Sequence, residues 1–355
     1  NAHNHTMAEY DKLIDCSEFA DLMLMNLYFN NQDFPSNNTV MWRTRTEDGL
    51  WRWMAKDMDF GLGRNPDPDY PTIHWFYRTF TDTTYNWGPT SSSTILFRYL
   101  MENPDFNREF IDRTAVYMGD YLNQAGIEQV LDPMCQSISE EYPYHQDKYE
   151  IEGDYSQKLE DTHLWLEQRT SAFYQELADF YNLGQPVPLT INVDPTLDHV
   201  DIGICFNGVT LTRPAFDGKF FIDRTVSLNL TNPEACPHAL WTIETTDEDD
   251  NIDVRQAEGP ELTFTMPSCK NLNITLEQPI ATNLKNAKAK SVTWTLDGLR
   301  LHLRSLPNET SVSLYTTAGQ LISHTHTTTD ELYINLPTRQ IYLLRIGTQT
   351  IKIAP

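Results

Sequence analysis

Two oxygen-rich clusters in the first sixth of the chain have the residue types and spacing to do chemistry. The first is Asn30-Asn31-Gln32-Asp33-Phe34-Pro35-Ser36-Asn37-Asn38, with Asn38 five positions after Asp33. The second is Asp57-Met58-Asp59-Phe60-Gly61. A base carboxylate, an amide oxygen five residues on, and a later carboxylate ahead of Phe-Gly form the set with which phosphoryl transfer holds a hydroxyl and Mg²⁺. That reaction asks little covalent chemistry of a protein, which mainly positions the acceptor and neutralises charge. An Asp-x-Asp ahead of a Gly is also common in solvated turns, where Asp accepts from its own backbone. The two clusters together, with the elements around them, favour a metal site.

Those elements must bring the clusters to one place. Residues 38–43 and 50–55 are rich in β-formers, and Glu47-Asp48-Gly49 supplies a turn between them. A hairpin there returns the chain to its starting end, so Asp33 and Asp59 are expected near one another. Upstream, Asp15-Cys16-Ser17-Glu18 has the form of a capping box, and Phe19, Leu22, Met23, Asn26 and Leu27 recur at helical spacing. A helix is therefore expected to deliver the first cluster. Trp53 is expected in the core rather than as a platform for a nucleotide.

Residues 19–63 resemble the CotH (spore coat protein H-like) kinase family of secreted atypical kinases. Its marks are an N-x-D segment, an Asn-rich strand and a W-D-x-D-x-x-x-G strand end, matched here by Asn31-Gln32-Asp33, by Asn37-Asn38, and by Asp57-Met58-Asp59 with Gly61 and Gly63. Lys56 stands where the family usually has Trp. The resemblance implies a catalytic Asp33, ATP as phosphate donor, a protein hydroxyl as acceptor, and Mg²⁺ held by Asp57 or Asp59 with Asn38 assisting. The literal Asp-Phe-Gly favours Asp59, the family pattern gives Asp57 an equal claim, and both stay open. Kinases also need a Gly-rich loop and a strand-borne Lys over the nucleotide. Neither is readable ahead of Asp33, so the chain is expected to begin inside the family domain, with an incomplete nucleotide site and no activity as it stands.

The expected fold class is α+β multidomain, an atypical kinase-like catalytic half of helices plus a β-hairpin followed by two antiparallel β-sandwich modules. The first domain is placed at 1–184, the second at 189–280 and the third at 285–355. Helices are expected near 92–102, 104–122, 125–140 and 156–181, where Asn103-Pro104-Asp105 reads as a helix start and Leu183-Gly184 as a stop. The loop with Asn65-Pro66-Asp67-Pro68-Asp69 and Tyr85-Asn86-Trp87-Gly88-Pro89 reads as a surface connection, with a substrate mouth as its alternative. Gln185-Pro186-Val187-Pro188 reads as a short stiff linker.

Beyond it, residues 189–193, 200–204, 220–222 and 226–230 alternate apolar with polar as an antiparallel sandwich does. The segment resembles the Ig-like modules found behind CotH domains, with Phe206-Asn207-Gly208 and Phe216-Asp217-Gly218-Lys219-Phe220 at turns. From Lys285 onward four Lys and four Arg face two Asp and two Glu, so the acidity belongs to the earlier domains. Short strands fill this last part. Ala318-Gly319-Gln320-Leu321-Ile322, and the end from Ile341-Tyr342-Leu343-Leu344-Arg345-Ile346 to Lys352, resemble type IX secretion C-terminal sorting domains, with Arg339-Gln340 departing from the usual Gly. That resemblance implies secretion machinery as a partner and a secreted or cell-surface location.

The formal net charge of −24 over 355 residues argues against nucleic acid as a partner. No apolar run reaches the roughly 18 residues of a membrane span. The five Cys show no C-x-x-C spacing, and Cys236 with Cys269 is a candidate bridge. His3 and His5 lack an evident third ligand, Ser91-Ser92-Ser93-Thr94 reads as a helix cap, and the acidic run from Thr246 to Asn251 as a solvated loop rather than a Ca²⁺ site. Two other classes stay open. One is a surface binding or adhesion protein with a degenerate kinase-like domain that contacts glycan or protein. The other is a glycan hydrolase using Asp33 with Asp57 or Asp59 as acid and base.

Overall fold

In the computed structural model, residues 5–78, 89–197, 199–278, 292–306, 310–317, 319–346 and 349–353 are described. The chain divides into two compact units, Asn1–Pro279 and Ile280–Pro355.

The first unit opens with α1 (Met7–Tyr10), α2 (Cys16–Tyr28) and the hairpin β1 (Val40–Trp42) and β2 (Arg52–Met54). Then come α3 (Thr72–Arg78), α4 (Ile95–Met101), α5 (Pro104–Asp120), α6 (Gln124–Ile138), α7 (Tyr142–Tyr149) and α8 (Tyr155–Tyr181). The expected helices correspond to α4, α5, α6 and α8, whereas α1, α3 and α7 are short additions. Local chemistry sets the ends. Asn103 accepts from the backbone N–H of Asp105 and Phe106 ahead of Pro104, and Asp154 does the same for Ser156 and Gln157. α8 stops where Asn182 turns left-handed (φ 52°).

The rest of this unit is β. β3 (Pro186–Val193), β6 (Phe216–Phe221), β8 (Leu240–Thr246), β9 (Ile252–Glu258) and β11 (Asn271–Glu277) form a sheet of order β6-β3-β11-β8-β9. β4 (Ile204–Phe206), β5 (Val209–Thr210), β7 (Thr225–Leu230) and β10 (Glu261–Thr265) form another, β10-β7-β4-β5. Within these two sheets the described pairings are antiparallel except β11 with β3, which is parallel, so the first sheet is mixed rather than wholly antiparallel.

Several local expectations change. The supposed linker is strand: Pro186 and Pro188 pair with β6 through Phe221 and Lys219, and β11 joins only from Leu189. The two prolines therefore sit where one flank of β3 is an edge, which tolerates a missing N–H. Residues 200–203 are not strand; β4 begins at Ile204. Asn207 (φ 45°) and Gly208 (φ 84°) do form the tight hairpin turn joining β4 to β5. The run from Phe216 to Phe220 is not a turn but the body of β6. A Cβ on Gly218 would lie 2.5 Å from Cα of Gly119, and one on Gly119 would lie 2.2 Å from the Phe216 ring, so both glycines serve a close approach of α5 to β6.

Polar contacts fasten the same interface. Asp112 on α5 accepts from Arg224 Nε (2.5 Å) and Asn207 Nδ2 (3.1 Å), Asp120 accepts from Thr212 N (2.8 Å) and Oγ1 (2.7 Å), and Tyr174 OH donates to Ala115 O (3.0 Å) while accepting from Lys219 N (3.1 Å). Helices and sheets share one hydrophobic core, with Phe106, Phe110, Phe173 and Leu177 in the same cluster as Phe206, Phe216, Leu272 and Ile274.

The second unit holds β12 (Thr293–Asp297), β13 (Arg300–Arg304), β14 (Thr310–Thr316), β15 (Leu321–Thr327), β16 (Glu331–Asn335), β17 (Tyr342–Ile346) and β18 (Gln349–Ile353). Two antiparallel sheets, β12-β13-β16 and β15-β14-β17-β18, carry a core of Leu301, Leu303, Val312, Leu314, Tyr342 and Leu344. Gly319 is left-handed (φ 82°) in the β14–β15 connection, as a hairpin there requires, while Ala318 lies outside the described residues. Among the described residues no helix is long and apolar enough to cross a membrane.

Candidate functional site

The site is built on α2. At its N-terminus Asp15 accepts from Glu18 N (3.2 Å), one half of a capping box. The other half is diverted: the Glu18 carboxylate accepts from Trp53 N (3.1 Å) instead. Burial pushes the Glu18 carboxyl up, and the Trp53 N–H partly opposes this. Arg52 pairs with Asp15 (2.9 Å), Asp15 N donates to Trp51 O (3.0 Å), and the buried Trp53 ring packs on Phe19 at 4.5 Å. The hairpin is thereby fixed to the helix, and Trp53 is core as expected.

At the other end Arg169 of α8 is fully buried and donates to the carbonyls of Leu27 (2.9 Å), Tyr28 (2.7 Å) and Pro68 (2.7 Å) and to Thr72 Oγ1 (2.9 Å). It hydrogen-bonds no carboxylate among the described residues. Its charge is met by the last carbonyls of α2, where the helix dipole favours a cation, and by the rings of Phe173 and Trp165. Burial draws its pKa down, and Glu176 is the strongest opposing influence. Glu176 in turn accepts from Ile73 N (2.5 Å) at the start of α3, and burial raises its carboxyl to about 7.

Past α2, Asn30 turns left-handed (φ 54°), and Asn31 N donates to Asn26 O (2.9 Å). The buried Asn31 amide donates to Asn26 Oδ1 (2.9 Å) and reaches Met58 Sδ (3.4 Å), while its oxygen accepts from Asp33 N (3.3 Å). The Asp33 carboxylate accepts from Asn37 Nδ2 (2.9 Å) and Asn38 Nδ2 (2.7 Å). Asn38, also left-handed, offers Oδ1 to Lys56 Nζ at 3.4 Å. That contact follows from the hairpin, whose register pairs Val40 with Met54 two residues inward on each strand.

The second cluster lies along the first. Leu62 N donates to Phe29 O (2.9 Å), and a Cβ on Gly61 would stand 3.1 Å from the same oxygen, so the Gly of Asp59-Phe60-Gly61 permits that approach. Asp57 (φ 55°) and Asp59 are exposed, and no hydrogen bond or ion pair joins either to another described residue. Three contacts, Asn31 with Met58, Asn38 with Lys56 and Phe29 with Leu62, thus bring together the loops that carry Asp33, Asn38, Asp57 and Asp59.

Among the described residues, no group of three or more His, Cys, Asp or Glu is disposed to hold a metal ion. The oxygen donors here are Asn38 Oδ1, which Lys56 Nζ already reaches, and the exposed carboxylates of Asp57 and Asp59. They are hard oxygens, too few for a closed cage and of the type that Mg²⁺ takes alongside several waters and phosphate oxygens.

The remaining candidates resolve simply. His3 and residues 85–88 lie outside the described residues, and His5 is exposed and faces Glu9. Thr94 precedes α4 and bonds back to Thr90 O rather than capping it. Asp247 accepts from Asp249 N, Asn251 N and Asn251 Nδ2, a turn satisfied by its own chain. Cys236 and Cys269 are separate buried thiols, so the suggested bridge is not formed.

Arg169 and Glu176 were not singled out by motif. Their signal lay in position, since Trp165, Arg169 and Phe173 recur at four-residue spacing on the buried stripe of α8, where a charge requires a partner.

Residues 1–173 match the family described as CotH kinase protein. A comparison with curated proteins returned no match.

Proposed function

We propose that residues 1–184 belong to a CotH-like kinase domain that transfers phosphate from ATP to a protein hydroxyl. The observation that carries this reading is the pairing of the two loops at the open end of the hairpin, with Asp33 gripped by the amides of Asn37 and Asn38. In this reading Asp33 takes the acceptor's proton at a carboxylate oxygen, and its amide partners fix the direction in which that oxygen points. Asn38 Oδ1, Asp57 and Asp59 would hold Mg²⁺, which when bound neutralises phosphate charge. Asn31 acts beneath them by tying the Asp33 backbone to Met58 between the two acids. Residues 189–280 are read as an Ig-like module and residues 285–355 as a type IX secretion sorting domain, with a secreted or cell-surface location.

The test is labelled-phosphate transfer from ATP with Mg²⁺ to a protein acceptor, alongside thermal unfolding with the same ligands. Asp33→Asn is expected to abolish transfer and to leave the Mg²⁺-dependent rise in midpoint intact. Transfer that Asp33→Asn leaves unchanged, or the lack of both transfer and a Mg²⁺-dependent rise in midpoint in the wild type, would refute the assignment.

A further inference from the structure

Beside the hairpin, α2, α6 and the end of α5 at Tyr117 enclose an open groove of about 680 Å³ whose walls are largely apolar. On the α6 wall Ile127, Val130, Leu131 and Met134 follow the i, i+3, i+4, i+7 spacing of a helical stripe, and on the α2 wall stand Leu22 and Met25. No residue of α6 is buried, and Val130 and Met134 are each 63% exposed. An amphipathic helix normally covers such a stripe against another element, and a groove with anchors at this spacing is the shape that receives a helix. Charge defines the occupant. Of the wall helices, α2 and α6 carry Glu18, Asp21, Glu128 and Asp132 and no Lys or Arg, with Glu18 and Asp21 in the groove lining, while α5 brings Arg113. Asp21 is met by Arg113 of α5 and Asp132 by His163 of α8, while among the described residues Glu128 takes only the neutral amide of Gln124. The whole chain adds a net charge of −24.

We propose that this groove docks an amphipathic helix of a partner polypeptide, apolar along one stripe and lined with Lys and Arg on its flanks. The apolar stripe would supply affinity, and the basic flanks would choose the partner and speed its approach.

The test uses the full chain and a labelled helical peptide of about 18 residues, with Leu at i, i+3, i+4 and i+7 and Lys elsewhere. Its controls are a scrambled peptide of the same composition and a Glu-for-Lys version. Binding by anisotropy is compared in wild type and in Val130→Asp/Met134→Asp, whose two changes are exposed, with circular dichroism to confirm folding. A second variant, Glu128→Gln/Asp132→Asn, leaves the apolar stripe untouched. The expected result is loss of about tenfold or more in affinity for the double Asp variant and for both control peptides, with a smaller, salt-sensitive loss for the second variant. Absence of binding to wild type, equal binding by the double Asp variant, or equal binding of the scrambled peptide would overturn the proposal. So would a concentration-dependent dimer of the protein alone that Val130→Asp/Met134→Asp dissolves, since a second copy would then be the occupant.

Discussion

Nζ of Lys56 lies 3.4 Å from Oδ1 of Asn38, across the open end of the β1–β2 hairpin. The ammonium therefore occupies the amide oxygen that the proposed metal would use, and it adds a positive charge beside that place.

Replacing Lys56 is accordingly expected to strengthen Mg²⁺ binding. At the separations and effective dielectric of a protein surface, one charge of the same sign costs on the order of 1 kcal/mol, so Lys56→Met should tighten Mg²⁺ about fivefold. Titration calorimetry reads this directly, and unchanged or weaker affinity would show that Lys56 does not compete for Asn38.

Arg169 is expected to be the costliest single loss in the helical part. Arg169→Met removes the donors that satisfy the carbonyls at the end of α2 and those beside α3, leaving buried acceptors unpaired. The expected loss is roughly 3–5 kcal/mol by urea unfolding, with proteolytic sensitivity appearing first in the loop that carries Asp33. A loss under about 1 kcal/mol would mean that water replaces the guanidinium freely.

The first cluster, its delivering helix and the hairpin were legible in the sequence because capping, apolar spacing and turn residues are local signals. The diverted Glu18 and the buried Arg169 and Glu176 were not, since each is defined by a partner on another element. The misread runs have the same cause. Gln185-Pro186-Val187-Pro188 has a linker's composition, and only its neighbour β6 makes it a strand. Gly218 has a turn's residue type, and only the passage of α5 overhead explains it. The parallel pairing of β3 with β11 joins segments far apart along the chain, where alternation of apolar residues carries no direction.

Glu176 gives stability a pH dependence near neutrality. Its carboxyl sits at about 7 in the fold against a usual value of 4.5, with burial the main cause. The fold thus favours the protonated form, and the stability it contributes is whole below pH 4.5 and is lost as pH rises towards 7. The Oε2 atom has no hydrogen-bond partner among the described residues, as suits a protonated carboxyl less costly to bury than a charge. Urea unfolding at pH 5 and pH 8 should show the wild type losing about 2–3 kcal/mol more than Glu176→Gln over that interval. Parallel pH profiles would contradict the assignment.

The seam between α5 and β6 should tolerate no side chain at Gly119. A Cβ there meets the Phe216 ring at 2.2 Å, so Gly119→Ala is expected to cost about 1–3 kcal/mol or more. Phe216→Leu in the same chain should return part of that loss, a coupling that a double-mutant cycle measures. Additive losses would mean that the clash is relieved elsewhere.

The most direct test of the paired-loop site is thermal unfolding with and without Mg²⁺ in wild type and in Asp57→Asn and Asp59→Asn. A ligand bound only by the folded chain raises its midpoint by mass action, and a site held by these loops predicts a rise of about 2–4 °C in wild type at Mg²⁺ well above its dissociation constant. The variant that removes the principal ligand should lose most of that rise, which also decides between the two carboxylates. The same rise in all three proteins, or none in the wild type, would contradict a magnesium site built from these residues.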